Sequence, residues 1–157
     1  MEINKRQLDR IRKKAEEEYK MADFVCCPYL KKDISFNAKG LEHVKFKRRN
    51  QARSMQDQFI RLRSLPLAKK IISLSHTLQG FQERNEMVRI KGKGKWKHKM
   101  KGVEYYEFVA VIKDVRVRVI VKQVDGGELH FWSIIPFWKM DIISEKRLVH
   151  NGNPSED

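Results

Sequence analysis

The fold class follows from one stretch near the end of the chain, VRVRVIVKQVDGGELHFWSIIPFWK, residues 115 to 139. In its first eight residues valine alternates with other side chains, among them Arg116, Arg118 and Lys122, which is typical of a strand with one buried face. Asp-Gly-Gly at 125–127 predicts a turn, and the residues after it predict a second, antiparallel strand. Because like charges on one sheet face repel each other, the three cations indicate an anionic partner for that face.

The residues before this stretch add to the sheet. VEYYEFVAVI, residues 103 to 112, is joined to the first strand by Lys113-Asp114, a two-residue loop typical of a hairpin. The pattern predicts an antiparallel meander of three strands, or four if residues 86 to 91 also pair.

Helical periodicity dominates the first half of the chain. Residues 5 to 21 carry apolar side chains at helical spacing and contain no proline or glycine. Residues 52 to 63 and 67 to 78 repeat the pattern, with Pro66 at a helix start, and predict a helical hairpin or one bent helix. The predicted fold class is therefore α+β, with N-terminal helices packed on a C-terminal antiparallel meander sheet of three to four strands.

Length and composition predict one main core. The chain has 157 residues, of which 41% are apolar and 34% charged. This is enough for a single folded domain. We divide it into an N-terminal basic helix and connector over 1–33, an α+β domain over 34–148, and a polar tail over 149–157.

The net charge of +14 points to a polyanionic partner, because phosphate contacts release condensed counterions. Nucleic acid is favoured, with a membrane surface and an acidic protein as alternatives. No apolar run approaches the roughly 20 residues that span a bilayer, and the first ten residues lack the apolar stretch of a signal peptide. The adjacent Cys26 and Cys27 have no metal-ligand spacing. We therefore expect a cytoplasmic protein that binds no membrane, no metal and no cofactor.

The tract RIKGKGKWKHKMKG, residues 89 to 102, has lysine at every odd position from 91 to 101. It fits an edge strand whose lysines prevent aggregation, or a loop that follows a phosphate backbone, and we favour nucleic-acid contact. Over the whole chain, the residues expected to bind nucleic acid are Lys45, Lys47, Arg48, Arg49, Lys91, Lys93, Lys95, Lys97, Arg116 and Trp132.

The two turns predict how side chains meet across the sheet. The Lys113-Asp114 loop places Phe108 opposite Val119 and Tyr105 opposite Lys122, so that Glu107 lies diagonal to both Arg118 and Lys122.

At the second turn, a three-residue loop pairs Lys122 with His130 and Ile120 with Trp132, so that Phe131 and Ser133 point into the core. A two-residue loop would instead bring Ser133 to the charged face. We prefer the first register, because Phe131 suits the valine-lined face.

A carboxylate, an arginine, a lysine and a histidine on one open sheet face can cleave RNA without a metal. A base takes the 2′-hydroxyl proton, cations stabilise charge on the phosphate, and an acid protonates the leaving oxygen. His43, which basic residues follow in EHVKFKRR, is a further acid–base candidate or else a surface histidine. The alternative is a salt-bridge network on a solvated sheet. The candidate catalytic residues are His43, Glu107, Arg118, Lys122, His130 and Ser133.

The segments GLEHVKFKRRN and VRVRVIVKQVDGGELHFWSIIPFW resemble the barnase–EndoU–colicin–RelE superfamily of small ribonuclease toxins, in its phage- and mobile-element-associated branch. Members carry a histidine near the first helix, a basic residue in the closing strands, and a Phe/Tyr-Ser element. Here these features match His43, Arg118 or Lys122, and Ser133. The resemblance covers residues 34 to 139 and implies a nuclease-like domain; the Lys-Gly tract departs from the pattern.

The expected function is therefore a toxin-like, metal-independent RNA endonuclease, held in check by an acidic antitoxin or immunity protein. The alternative is a noncatalytic RNA- or DNA-binding module of a phage or mobile element. A third possibility is a structural or regulatory protein that keeps the fold without activity.

Overall fold

Three helices and eight strands make up the computed structural model, which describes residues 2–21, 23–48, 50–137 and 154–155. The helices are α1 (Lys5–Lys20), α2 (Ala38–Lys45) and α3 (Met55–Leu74). The strands are β1 (Phe24–Cys27), β2 (Lys32–Ser35), β3 (Phe46–Arg48), β4 (Gln51–Ala52), β5 (Gly80–Gly92), β6 (Lys95–Ile112), β7 (Val115–Val124) and β8 (His130–Phe137). The predicted α+β class, with helices preceding the meander, is confirmed. None of the described helices is long and apolar enough to cross a membrane.

The main sheet is larger than predicted and it is mixed. Six strands lie in the order β1-β2-β8-β7-β6-β5, and β2 runs parallel to β8, while β3 and β4 form a separate hairpin. The prediction of a purely antiparallel sheet of three to four strands is therefore wrong in both size and type. The two missed strands have only four residues each, which is too short for an alternating pattern to stand out.

Capping residues precede the helices. The Asn4 side chain accepts a hydrogen bond from the backbone N–H of Gln7, and the Gln7 side-chain oxygen accepts one from the backbone N–H of Asn4, so α1 starts with a capping box. The Ser54 hydroxyl accepts from the Asp57 amide at the start of α3. Pro66 lies inside α3 and does not begin a second helix, so that part of the prediction is wrong. Pro66 is exposed, and its missing N–H removes one bond within the helix; burial of the other face of α3, which carries Leu62 and Leu65, offsets the loss.

The first hairpin of the meander has the predicted register. Phe108 lies opposite Val119, and Tyr105 lies opposite Lys122. Lys113 and Asp114 both have positive φ angles, 49° and 64°, as a type I′ turn requires.

The second hairpin departs from the predicted register by one residue. Lys122 pairs with His130 as expected, but Ile120 pairs with Ser133, so the expected pairing of Ile120 with Trp132 is wrong. Trp132 is the extra residue of a β-bulge, which locally twists β8. Phe131 is fully buried and Trp132 is partly exposed, as predicted.

The sheet buries both of its faces to different extents. The helices cover one face, where Phe108 and Phe131 pack with Leu62 and Ile72 of α3. On the other face a small cluster surrounds Tyr105. The expected boundary after residue 33 falls inside β2, and α1 packs against α3 in the main core.

A two-stranded ribbon extends beyond the sheet. Residues 85 to 102 of β5 and β6 pair only with each other, because the pairing of β6 with β7 begins at Val103. Residues 91 to 100 are all exposed. We call residues 85 to 102 the ribbon.

Gly40 lets α2 approach β8 closely. A Cβ atom at this position would lie 2.8 Å from the Phe131 ring and closer still to the Phe131 carbonyl oxygen. The backbone of α2 therefore rests on the backbone of β8, which fixes the position of the residues that follow Gly40 on the helix.

Candidate functional site

An open cleft of about 570 Å³ lies between the ribbon and the segment formed by α2 and β3. The ends of β7 and β8 form its base. The residues that line it are Lys39, Glu42, His43, Phe46, Lys47, Arg48, Glu86, Met87, Val88, Arg89, Trp96, Lys122, Val124, His130, Trp132 and Ser155. Three of the six predicted catalytic residues, His43, Lys122 and His130, therefore meet in one cleft.

Trp132 stands at the centre of this group, and its ring is occupied on both faces. The His43 ring stacks on it with centroids 4.0 Å apart, and the Lys122 ammonium lies 3.8 Å from its centroid. The indole N–H donates to the Pro154 carbonyl at 2.9 Å. Trp132 therefore orients its neighbours and has no open face for a nucleobase, although the sequence favoured it as a binding residue.

Lys122 is enclosed by aromatic rings. Its ammonium also lies 5.5 Å from the centroid of the Tyr105 ring. Tyr105 is on β6 and Trp132 is on β8, the two strands that flank Lys122 on β7. Burial lowers the pKa of Lys122 to about 8, Glu86 opposes this shift, and Lys39 adds to it. An ammonium with a pKa near 8 stabilises a negative phosphate and also releases a proton readily near neutral pH.

His130 has an acceptor nitrogen that is buried at the base of the cleft. The residue is 4% exposed, and its Nδ1 lies 3.4 Å from the Glu128 carbonyl oxygen. Assigning the proton to Nδ1 leaves Nε2 as an acceptor, and Nε2 is buried without a hydrogen-bond partner among the described residues. Burial, aided by Lys122 and Lys39, lowers the pKa of His130 to about 4, so the ring is neutral at pH 7.

His43 is held in place by Arg53. Its Nε2 accepts from the Arg53 guanidinium at 3.1 Å, and its backbone carbonyl accepts from the same group at 3.0 Å. Burial, followed by Arg53, Arg61 and Lys122, lowers the pKa of His43 to about 2. His43 is thus a neutral ring whose Nε2 already has a donor.

A buried polar network lies behind Trp132, and the sequence analysis missed most of it. Asp57 bridges Arg53 at 3.5 Å and Arg61 at 2.8 Å. Arg61 then donates to the Ser133 hydroxyl at 2.8 Å. Ser133 is fully buried, as predicted, and does not line the cleft. The spacing of Arg53, Asp57 and Arg61 at four-residue intervals was the available signal.

The Glu107–Arg118 pair lies apart from the cleft. The carboxylate meets the guanidinium in two contacts, 2.6 Å at Nε and 2.9 Å at Nη2, and Arg118 is 3% exposed. Both line a separate, very small cavity. Lys122 is four residues further along β7, which is about 13 Å on an extended strand. The structure therefore does not bring these two predicted catalytic residues together with Lys122 and His130.

The described residues expected to bind nucleic acid are distributed over four places. Lys47 and Arg48 line the cleft, whereas Lys45 is paired with Glu16 at 2.8 Å. Arg116 is exposed six residues from Lys122 on β7, about 20 Å away. Arg49 lies outside the described residues. The four lysines of the tract are exposed on the ribbon: Lys91, Lys93, Lys95 and Lys97.

Comparison with known proteins gives this chain no relative. No family model matches it, and neither curated proteins nor solved structures give a match. Among the described residues, no group of three histidine, cysteine or acidic side chains is arranged to hold a metal ion.

Proposed function

We propose that this protein is a toxin-like RNA endonuclease of the barnase–EndoU–colicin–RelE type, whose reaction takes place in the cleft and needs no metal. The observation that carries the proposal is the pairing of His130 with Lys122. His130 has a buried, neutral nitrogen without a partner among the described residues. Lys122, on the neighbouring strand, has an ammonium with a lowered pKa.

These two groups supply the parts of the reaction. The Nε2 atom of His130 takes the proton of a ribose 2′-hydroxyl, and the oxygen attacks the adjacent phosphorus. Lys122 stabilises the charge that develops on the phosphate. The bond from phosphorus to the 5′ oxygen breaks, the Lys122 ammonium gives that oxygen a proton, and a 2′,3′-cyclic phosphate remains. His43 positions Trp132, and Trp132 in turn positions the Lys122 ammonium.

The surroundings of the cleft favour a polyanion. Lys39, Lys47 and Arg48 line the side of the cleft opposite the ribbon, and the ribbon itself carries seven lysine and arginine residues with one glutamate. Such a field attracts RNA, and it is equally complementary to an acidic antitoxin or immunity protein. We place this activity in the cytoplasm, where both partners would be met.

A second candidate function is a noncatalytic nucleic-acid-binding module of a phage or mobile element. The specific observation in its favour is that two predicted catalytic groups are engaged within the protein. Arg53 occupies the Nε2 of His43, and Glu107 holds Arg118 in a two-contact pair. In this case His130 and Lys122 form only part of a binding surface.

Cleavage of RNA in EDTA tests the proposal. Purified protein is incubated with mixed cellular RNA, and fragments are examined for 2′,3′-cyclic phosphate ends. His130→Ala and Lys122→Met should each lower the cleavage rate about a hundredfold or more, the scale of losing a general acid–base group, while RNA affinity changes far less. His76→Ala, which removes an exposed histidine after α3, is the matched control and should cleave at the wild-type rate.

Each outcome decides between the candidates. Wild-type protein that binds RNA tightly and leaves it intact supports the binding module. Cleavage that survives in both variants places the reaction elsewhere, and protein that binds neither RNA nor DNA removes both candidates. Circular dichroism of each variant establishes that the fold is retained.

A further inference from the structure

The ribbon carries exposed apolar side chains that its lysines do not explain. Trp96, Met87 and Met100 are 55%, 64% and 57% exposed. Lysines alone suffice to protect a sheet edge against aggregation, and three large apolar groups in water oppose that purpose. Their exposure therefore points to a ligand with an apolar surface.

These groups share one face of the ribbon with two cations. Three cross-strand pairs occur at every second position: Met87 with Met100, Arg89 with His98, and Lys91 with Trp96. Because side chains alternate between the two faces of a strand, these six lie on the same face. The Arg89 guanidinium lies 4.1 Å from the Trp96 centroid. Arg89, Met87 and Trp96 also line the cleft, so this face leads toward His130.

The opposite face carries a row of lysines. Lys95, Lys97 and Lys99 follow each other at every second position, which places them about 7 Å apart along the strand. They form no ion pair with a carboxylate among the described residues, whereas Lys101 on the same face is bound to Asp125 at 2.8 Å. Such a row suits successive phosphates of a nucleic-acid backbone.

The two tryptophans of the cleft differ in what they can accept. Trp132 has one ring face against His43 and the other against Lys122. More than half of the surface of Trp96 is exposed. The Arg89 guanidinium lies 4.1 Å and the Lys91 ammonium 6.0 Å from its centroid, and an exposed ring with cations beside it is a stacking platform for a base.

The combination of an exposed aromatic ring with a row of lysines distinguishes unpaired RNA from a duplex. A duplex presents phosphates and groove edges, its base faces are stacked inside, and its major groove is too narrow for side chains to read. An unpaired strand presents phosphates and open base faces together. We propose that the ribbon binds unpaired RNA along the open edge of β6, with one base stacked on Trp96 on one face and the backbone contacted by lysines that reach this edge from the opposite face, and that it leads this strand into the cleft. The inference rests on the proposed function for the identity of the polymer as RNA.

The test compares two RNAs of equal length: an unstructured oligonucleotide and a perfect duplex. Affinity is measured by fluorescence anisotropy with dye-labelled RNA in EDTA, using the His130→Ala background to prevent cleavage. Trp96→Ala should weaken binding of the unpaired RNA about 5- to 100-fold, the range for loss of one stacked base. The duplex affinity should change less than about twofold, because a duplex offers no base face to stack.

Two further variants make the test specific. Trp96→Phe keeps an aromatic face and should recover most of the affinity for the unpaired RNA. Phe81→Ala removes an exposed aromatic residue that lies on β5 outside the ribbon, and it should leave the affinities for unpaired and duplex RNA unchanged. Lys97→Gln should weaken both RNAs.

The failures of the two proposals are distinguishable. Equal losses for unpaired and duplex RNA in Trp96→Ala, or no loss in either, overturn the stacking site and leave the proposed function standing. Tighter wild-type binding of the duplex does the same. Wild-type protein that binds neither RNA overturns the proposed function itself.

Discussion

The cations of the folded body and the cations of the ribbon differ in what they contact. In the body, Arg53 and Arg61 share Asp57, and Arg118 is paired with Glu107. All three guanidiniums are buried. On the ribbon, the cations from residue 91 to residue 99 are lysines, exposed and without a carboxylate partner among the described residues.

The difference follows from the chemistry of the two side chains. A guanidinium presents a planar set of donors that matches a carboxylate in a buried pair. A lysine keeps its ammonium hydrated on a flexible stem and adapts to phosphates at varied positions. The net charge of +14 therefore does not by itself locate the binding surface. The binding surface is located by asking which cations have a carboxylate partner and which do not.

The largest expected effect in this comparison concerns the buried pair. Glu107→Ala leaves the Arg118 charge buried without its carboxylate, which should lower the free energy of unfolding by about 3–5 kcal/mol. Urea denaturation measures the change. Glu83→Ala, an exposed carboxylate on β5, is the control and should stay within about 0.5 kcal/mol of the wild type. Equal stabilities would show that the ion pair with Glu107 contributes nothing to the stability of the fold.

A second effect is the dependence of stability on pH. His43 and His130 have folded-state pKa values of about 2 and about 4, below the ordinary 6.5. The unfolded chain therefore takes up protons first, and stability is lost as pH falls below 6.5. The loss is about 1.4 kcal/mol per pH unit for each histidine, down to about pH 4 for His130.

Variants separate the contributions of these histidines. Urea denaturation at pH 7, 6 and 5 should give a shallower decline for His130→Gln than for the wild type. The exposed ribbon residue His98 serves as the control, because His98→Ala should leave the decline unchanged. An unchanged decline in His130→Gln would contradict a neutral, buried ring.

The smallest effect on stability, and a clear one on binding, is expected for the ribbon. Replacing Lys93, Lys95, Lys97 and Lys99 by glutamine should leave the free energy of unfolding within about 0.5 kcal/mol. The slope of log affinity for unpaired RNA against log salt should fall by up to ~2.8, since each lost phosphate contact contributes ~0.7.

The control for this variant carries the same change in net charge. It replaces four exposed lysines of α1, namely Lys5, Lys13, Lys14 and Lys20. A salt slope that falls equally in both variants would mean that overall charge, and not the ribbon, determines RNA binding.

The meander could be predicted from the sequence because its signals are local. Alternating valines set the buried face, and the Lys113-Asp114 turn set the register of β6 against β7. The parallel contact between β2 and β8 could not be predicted, because it joins Ser35 to His130 across most of the chain. The bulge at Trp132 also has no signal in the alternation, since it appears only when two strands are paired.

The site was predictable to the same extent. The register placed His130 beside Lys122, and the structure has this pair. The predicted register placed Glu107 diagonal to both Arg118 and Lys122, and could not tell which of the two it would pair with. In the structure Glu107 forms an ion pair with the buried Arg118. The polar residues of α3 were missed, because charged side chains on a helix are usually exposed, and here Arg61 is buried.

The contact at Gly40 gives the two walls of the cleft different mechanical properties. The wall formed by α2 rests on β8 at Gly40, where a Cβ atom would collide with the Phe131 carbonyl oxygen. The opposite wall is the ribbon, which no other described strand flanks. The cleft therefore has one side that is held against the backbone of the sheet and one side that projects beyond the sheet. The α2 side sets the reference position for the reacting groups, and a change in the width of the cleft would require movement of the ribbon.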